Sequence, residues 1–517
     1  MAFPRYPSAM STSSSTSVVI AIDAGTTGVR SFAIDEQGNP RGFSYREFTQ
    51  YFPQPGWVEH DAAEIWQAVE TTLAELTATF APGTTIRAIG ITNQRETAVA
   101  WDLRSGTPLH RAIVWQDRRT AGICEQLAAD GALDLVRSRT GLVLDPYFSG
   151  TKYAWLLRDG GVARSASLAL GTVDDWILWN LTGGVDGGVH ATDPSNASRT
   201  MCFDIIDLRW SRELCDCLGV PIDALGEVRP SSGRFGVAVS SVAGGAVGGV
   251  PVSGILGDQQ AALFGQACVT PGMAKNTYGT GSFVLLNVGP TCPAPSEGLL
   301  TTVAWDLGAN GGVAYAYEGA VFVTGAAIQW LRDGLQIIGS AAEIGPLAAS
   351  VASTDGVYVV PAFTGLGSPY WDPYARGTIV GITRGVGRAH IARAVVESMA
   401  YQVRDVVDAM TMKSGTPLKE LRVDGGASVM DLLLQMQADQ LGVDVSRPVV
   451  AESTALGAAF AAGLAEGVWS SPAEVLASWK EEKRFRPENR DSANRLYGEW
   501  HRAVERSRSW ATVPPTT

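Results

Sequence analysis

Near the middle of the chain, Gly257-Asp258-Gln259-Gln260 sets a carboxylate between a glycine and two amides. Apolar residues 250–256 read as a short buried strand and residues 261–264 as the first turns of a helix. Asp258 is therefore expected at a strand-to-helix junction facing a cleft, where a carboxylate can take a proton from a substrate hydroxyl. It can equally cap the helix, a place that Asp fills well. Arg95 and Glu96 follow the apolar stretch 86–91 and can each direct a charged hydrogen bond at a small polyol. The alternative is a surface pair at a strand end. Tyr147, in the turn-rich stretch 145–152, offers a phenol to the same cleft. Trp115 lies in 112–117, which reads as a strand ending in polar groups; a tryptophan there is more often core than a substrate wall.

Phosphate chemistry is suggested at two other places. Residues 18–23 read as a strand, Ala24-Gly25-Thr26-Thr27-Gly28 as a tight turn and residues 29–35 as a returning strand. The amides of a glycine-rich turn form an anion-binding concavity, and Thr26 and Thr27 add hydroxyl donors. Residues 274–278, Gly279-Thr280-Gly281-Ser282 and residues 283–287 repeat that order in the second half of the chain. The repeat predicts two similar domains, 18–266 and 267–517, each presenting a phosphate loop to one cleft. No Gly-Lys dipeptide occurs, which excludes a Walker A loop, and no complete Gly-x-Gly-x-x-Gly supports a dinucleotide fold.

The remaining elements follow from periodicity and turn chemistry. Thr324 is placed to cap a helix that begins at Gly325 and carries Gln329, and residues 357–363 read as a buried strand. From Ile391 the apolar residues Val395, Met399, Val403, Val406 and Met410 recur at helical spacing. Residues 421–427 read as a strand and glycine turn, with Ser428 and Asp431 in capping-box spacing before the next helix.

Bulk properties narrow the function classes. At 517 residues the chain exceeds one ordinary domain. A net charge of −12 argues against a surface that tracks nucleic-acid phosphates and fits a cytosolic protein. The six cysteines form no Cys-x-x-Cys pair and the five histidines are scattered, which argues against a zinc site or a disulfide framework. Residues 1–17, rich in Ser, Thr and Pro, read as a disordered tail. The most apolar run, 455–465, is too short to span a membrane.

Taken together, these motifs resemble the FGGY carbohydrate kinase family from about residue 18 to beyond residue 510, and among its members those acting on glycerol more than those acting on xylulose or gluconate. The likeness is carried by Asn93-Gln94-Arg95-Glu96-Thr97, Val114-Trp115-Gln116-Asp117-Arg118-Arg119-Thr120, Asp145-Pro146-Tyr147-Phe148-Ser149-Gly150-Thr151-Lys152, Gly257-Asp258-Gln259-Gln260 and Asn276-Thr277-Tyr278-Gly279-Thr280-Gly281. Gly377-Thr378-Ile379-Val380-Gly381-Ile382 followed by His390-Ile391-Ala392-Arg393-Ala394-Val395-Val396-Glu397 matches a further family signature.

The resemblance implies an α/β protein of the actin-like ATPase fold, two ribonuclease H-like domains with the active site in the cleft between them. It implies ATP-dependent phosphorylation of glycerol to sn-glycerol 3-phosphate, with Asp258 as general base. By the same analogy Arg95, Glu96, Tyr147, Asp258 and Gln259 hold the three hydroxyls of glycerol, with Trp115 and Phe283 against its carbons. Thr26, Thr27 and Arg30 would meet the phosphates, Thr280 would meet them from the other side, and Gly325, Gln329 and Gly426 the adenosine. Asp23 and Asp258 would face a nucleotide-bound Mg2+ that keeps most of its waters. The implied partners are glycerol and ATP, with no nucleic acid and no membrane span, in a cytoplasmic homodimer or homotetramer.

Two positions depart from the family pattern. Gly28 stands where serine is usual, which removes a hydroxyl from the first phosphate loop, and Met430 where asparagine usually reaches the adenine. The nearest rival reading is a kinase for another sugar or polyol. A nucleotide-driven switch would share the fold but predicts ATPase activity indifferent to polyols.

Overall fold

The computed structural model describes residues 17–511. Ser17, counted above with the tail, opens the first strand, and residues 1–16 lie outside the described residues.

The first sheet is built on an uninterrupted apolar run. Val18, Val19, Ile20, Ala21 and Ile22 are all buried, the pattern of a strand covered on both faces. They lie in β1 (Ser17–Ala24), which turns into the antiparallel β2 (Gly28–Asp35), itself paired with β3 (Pro40–Glu47). Helix α1 (Ala62–Thr77) places Ile65, Val69, Leu73 and Leu76 on one face and packs them on this sheet. Beyond β1, β4 (Thr85–Asn93) runs parallel; α2 (Ser149–Arg158), β5 (Ser232–Val237) and β6 (Pro251–Gly257) follow in the chain. The strand order is β5-β6-β4-β1-β2-β3. The chain passes from β6 straight into α3 (Asp258–Gly265).

The second sheet repeats the plan. β7 (Met273–Tyr278) and β8 (Ser282–Gly289) form an antiparallel hairpin. β9 (Leu300–Asp306) and β10 (Val313–Val321) extend it on one side. After α4 (Gly325–Gln329) and α5 (Arg388–Ser414), β11 (Glu420–Asp424) pairs parallel with β7. Helix α6 (Asp431–Leu441), β12 (Asp444–Pro448), α7 (Ser453–Ala465), β13 (Glu481–Phe485) and α8 (Arg490–Ser507) complete the half. The order is β9-β10-β8-β7-β11-β12-β13. In both sheets an antiparallel run (β3-β2-β1, β10-β8-β7) meets a parallel run (β1-β4-β6, β7-β11-β12) at the strand that enters a glycine-threonine turn.

The two halves interlock through glycines. Helix α7 packs against β1, β4 and β6 of the first sheet and against α3. A Cβ on Gly90 would lie 2.1 Å from the Ala458 carbonyl oxygen, and one on Gly457 1.9 Å from that of Ala261. Backbones approach so closely only where side chains are absent. One apolar cluster accordingly mixes Val19, Ala21 and Phe264 with Leu285, Trp305 and Phe460.

Local readings were shortened or redirected where a side chain found a distant partner. The strand expected over 112–117 is only Ala112–Ile113, because Asp117 turns away to accept from the Val58 amide (2.6 Å) and to pair with Arg119 (2.7 Å). The strand expected over 357–363 is Tyr358–Val360. The capping box at 428–431 does not form: Met430 is the N-cap of α6, the Ser428 hydroxyl donates to the Gly425 carbonyl (2.7 Å), and Asp431 pairs with Arg447 (3.0 Å) and Lys483 (2.6 Å). Thr324 does sit at the N-cap of α4, but its hydroxyl donates to the Gly279 carbonyl (3.1 Å) instead of capping the helix.

Candidate active site

Asp258 begins α3, and Gly257 holds the N-cap position. The capping role that sequence left open therefore belongs to another residue. Asp258 Oδ1 accepts from the Gln259 amide (2.7 Å) and lies 2.9 Å from Arg95 Nε, while 31% of the side chain stays exposed. A carboxylate at the positive end of a helix dipole, paired yet reachable, is poised to act on a group entering from the cleft.

Arg95 and Glu96 are not a surface pair. Both are 2% exposed, and Glu96 is held at φ +61° immediately beyond β4. A Cβ on Gly257 would meet Arg95 Cδ at 2.7 Å, so that glycine gives the arginine its passage. Arg95 Nη1 donates to Glu318 Oε2 (2.6 Å) and Gln260 Oε1 (3.1 Å), and Nη2 to Glu318 Oε1 (3.1 Å) and the Tyr147 hydroxyl (3.3 Å). Arg199, fully buried, donates through Nε to Glu96 Oε1 (2.6 Å) and through Nη2 to Glu318 Oε1 (3.1 Å). Burial alone would raise the Glu318 carboxyl, but Arg199 and Arg95 outweigh it and hold it at about 2. For Glu96 burial prevails over the same two arginines and its carboxyl is raised.

A second clamp fixes the chain around these groups. Lys152 in α2 is fully buried and donates to the carbonyls of Glu96 (3.3 Å), Tyr147 (2.5 Å) and Phe148 (3.2 Å). It thereby ties the Arg95-Glu96 loop to the Tyr147 loop. Burial, opposed by Glu96 and Asp117, draws its ammonium down to about 7. The unfolded chain keeps that proton up to about 10.5, so it binds more protons than the fold between those values and stability rises with pH there. Relative to Lys152→Met, the wild type should gain melting temperature from about pH 7 to pH 9. A difference that is flat or falls over that window would show that Lys152 is charged in the fold.

The first glycine-threonine turn lies beside these groups. Trp115 is neither core nor a bare wall: its Nε1 donates to Thr26 Oγ1 (3.0 Å), and its ring meets Tyr147 edge-on at 5.7 Å. The departure at Gly28 has a packing cause. A Cβ there would lie 2.4 Å from the Arg46 carbonyl and 2.7 Å from the Tyr45 hydroxyl, which itself stands 3.3 Å from Thr27 Oγ1. A tyrosine from β3 thus brings a hydroxyl to the turn that the glycine lacks. Arg30, opposite Asp23 in the β1–β2 register, lies 3.9 Å from Glu452 at the N-cap of α7.

Burial, opposed by Arg30 and joined by the charges of Asp258 and Glu452, raises the Asp23 carboxyl to about 6. The negative charge of Asp258 acts on Asp23 unfavourably, and a divalent cation facing both carboxylates would offset it. Among the described residues no three His, Cys, Asp or Glu side chains form a self-sufficient metal site. The pair fits a hydrated ion carried in by a ligand.

Across the cleft the second loop docks on α4. The amides of Thr324, Gly325 and Ala326 donate to the carbonyls of Thr280, Gly279 and Thr280, each at 3.0 Å. A Cβ on Gly325 would lie 2.5 Å from the Gly279 carbonyl, and one on Gly425 2.5 Å from that of Tyr278. Gly279, Thr280, Gln329 and Gly426 are exposed, whereas the Arg95 side of the cleft is buried. Met430 packs toward Gly345, whose Cβ position is 3.4 Å from Met430 Cγ. Phe283, on β8, is half-buried.

Sequence reading missed Arg199, Glu318 and Lys275. Lys275, 0% exposed on β7, donates to Gln259 Oε1 and to Thr277 Oγ1 (3.0 Å). The one available signal was a lone charge inside a strand otherwise closed to water, as Glu318 is in β10.

Comparison with known proteins places the chain in a family and a fold. The model of the FGGY family of carbohydrate kinases, N-terminal domain, matches residues 18–265, and that of the C-terminal domain matches residues 274–466. The chain is 54% identical over 501 residues to a protein named glycerol kinase from Bordetella parapertussis, covering 95% of this chain and 97% of that one. It is 53% identical to one of the same name from Carboxydothermus hydrogenoformans, covering 95% and 98%. Its structure is similar to that of Plasmodium falciparum glycerol kinase with ADP, with a TM-score of 0.90 at 32% identity over 95% of this chain and 98% of that one. A gluconate kinase from Lactobacillus acidophilus, 20% identical with a TM-score of 0.85, shares the fold.

Proposed function

The chain belongs to the FGGY family of carbohydrate kinases, and from that premise we propose that it transfers the γ-phosphoryl group of ATP to a terminal hydroxyl of glycerol, giving sn-glycerol 3-phosphate. Its two sheets are the paired ribonuclease H-like domains of the actin-like ATPase fold. The observation that carries the substrate assignment is the buried pair Arg95 and Glu96 with the half-buried Tyr147 beside the accessible carboxylate of Asp258, a group of hydroxyl partners. Relatives at 52–54% identity over nearly the whole chain are named glycerol kinase.

In this reading Arg95, Glu96, Tyr147 and Gln259 hold the glycerol hydroxyls, and Trp115 and Phe283 lie against its carbons. Asp258 accepts the proton of the attacking hydroxyl. The amides of the first turn, with Thr26, Thr27 and Arg30, receive the phosphates; Thr280 meets them from the opposite loop. Gly325, Gln329, Gly426 and Met430 border the adenosine. Asp23 and Asp258 would face a Mg2+ ion, which neutralises phosphate charge when bound. We assign residues 18–266 to the polyol and phosphate domain and 267–517 to the nucleotide domain. ATP as donor places the enzyme in the cytoplasm, and a homodimer or homotetramer belongs to the same reading.

A site built to pair hydroxyls discriminates strongly, because an ill-fitting ligand leaves buried polar groups unpaired. In a coupled assay of ADP release over glycerol, erythritol, xylulose and gluconate, kcat/KM for glycerol should exceed the others by roughly 10²-fold or more. Equal turnover of glycerol and xylulose would overturn the substrate assignment. ADP release indifferent to every polyol would favour a nucleotide switch.

A further inference from the structure

The side chains that hold the polyol's hydroxyls come from the first half of the chain, yet they rest on one rung of the second sheet. Lys275 of β7 is paired with Leu285 of β8, and Leu285 with Glu318 of β10. Directly paired residues share a face of a sheet, so Lys275, Leu285 and Glu318 point the same way. Two residues along, Thr277, Phe283 and Ala320 form the next rung of that face. Lys275 and Glu318 are both 0% exposed.

Each holds a different part of the pocket. Glu318 takes both Nη atoms of Arg95 (2.6 and 3.1 Å) and Nη2 of Arg199 (3.1 Å), whose Nε in turn fixes Glu96 (2.6 Å). Arg95 and Glu96 are thereby set in one orientation although neither is on a regular element. Lys275 donates to Gln259 Oε1. An ammonium is a donor only, so it removes the ambiguity of the carboxamide: the oxygen is spent and Nε2 must be the atom presented to the cleft. Nothing on α3 itself dictates that choice. Glu318 remains ionised far below neutral pH, since Arg199 and Arg95 outweigh its burial and keep it near 2. Burial draws Lys275 down to about 8 against Asp424 and Asp258, which leaves it charged at neutral pH.

Resting on the proposed glycerol reading, we propose that Lys275 and Glu318 are positioning residues that decide which end of glycerol meets Asp258. Glycerol is prochiral, and its two CH2OH groups are distinguished only by where the other hydroxyls are held. A fixed donor at Gln259 and a fixed acceptor at Glu96 make the pocket's hydrogen-bond pattern asymmetric. If Gln259 can flip or Arg95 and Glu96 can turn, the reversed pose becomes accessible, and phosphoryl transfer to the other terminal oxygen gives sn-glycerol 1-phosphate.

The test uses the full chain with Lys275→Met and Glu318→Gln. Total glycerol phosphate is compared with the fraction oxidised by a dehydrogenase specific for the sn-3 isomer, alongside KM for glycerol, KM for ATP and thermal melting. The expected result is a roughly tenfold or larger rise in KM for glycerol, as follows when a charge-assisted contact is lost, with KM for ATP nearly unchanged and a measurable sn-1 fraction absent from the wild type. A purely structural role lowers the melting temperature without an sn-1 product. Folded variants that still make only the sn-3 isomer at an unchanged glycerol KM would overturn the proposal. Should Glu318→Gln fail to fold, Glu318→Asp keeps the charge, shortens the reach and is read in the same way. A wild type that does not phosphorylate glycerol overturns the substrate assignment and this proposal with it; a wild type that does, with unaltered variants, overturns this proposal alone.

Discussion

Asp258→Asn is expected to give a folded, glycerol-binding protein whose turnover is lower by roughly 10²–10⁴-fold, the contribution of a positioned acid–base group. The fold has little reason to suffer. Gly257 is the N-cap of α3, so no cap is lost, and an asparagine oxygen can still accept from the Gln259 amide as Asp258 Oδ1 does at 2.7 Å. What disappears is the charge 2.9 Å from Arg95 Nε and the basicity needed to take a proton. Arg95 keeps its two bonds to Glu318, so the pocket should stay assembled. Turnover and thermal melting on one preparation separate the effects. If more than about a tenth of wild-type turnover survives, less than the smallest loss expected for such a group, Asp258 is not the base.

Arg95→Ala is expected to cost both substrate and stability. From sequence alone the substitution should chiefly raise the glycerol requirement and spare the nucleotide. The structure adds that it leaves two buried carboxylates, Glu318 (0% exposed) and Glu96, sharing Arg199 as their close cation. Removing one partner of a buried ion pair costs about 3–5 kcal/mol because the remaining charge stays buried. For a domain of this size that is a fall in melting temperature of roughly 10 °C. Arg95→Lys separates the two losses. It keeps the charge but not the two-pronged contact with Glu318, so KM for glycerol should rise while melting shifts less. An alanine variant that melts like the wild type would show that Arg199 alone satisfies Glu318.

Much of the architecture was legible because its causes are local. The strand at 18–22 is apolar and enters a glycine-threonine turn, and the second such turn, at 279–282, opens into the apolar run 283–286, so both hairpins could be read without knowing what surrounds them. The placement of Asp258 between strand and helix, and the helix carrying Val395 to Met410, rest on the same short-range patterns. The likeness of the two halves was legible for the same reason, because each repeats a local order of strand, turn and strand.

Other features were decided only by the tertiary structure, and each involves a partner far away in the chain. Asp258 yielded the cap to Gly257, the strand at 112 ended after two residues, and the capping box at 428–431 was lost to Arg447 and Lys483. The separation of Arg95 from Glu318 is 223 residues, and nothing near either states that they will meet. Periodicity reports which face of an element is buried, but not which buried charge will find which. A charge closed off from water must be paired, so Glu318 and Lys275 inside their strands announced that partners exist; only the packing of one half on the other chose Arg95, Arg199 and Gln259.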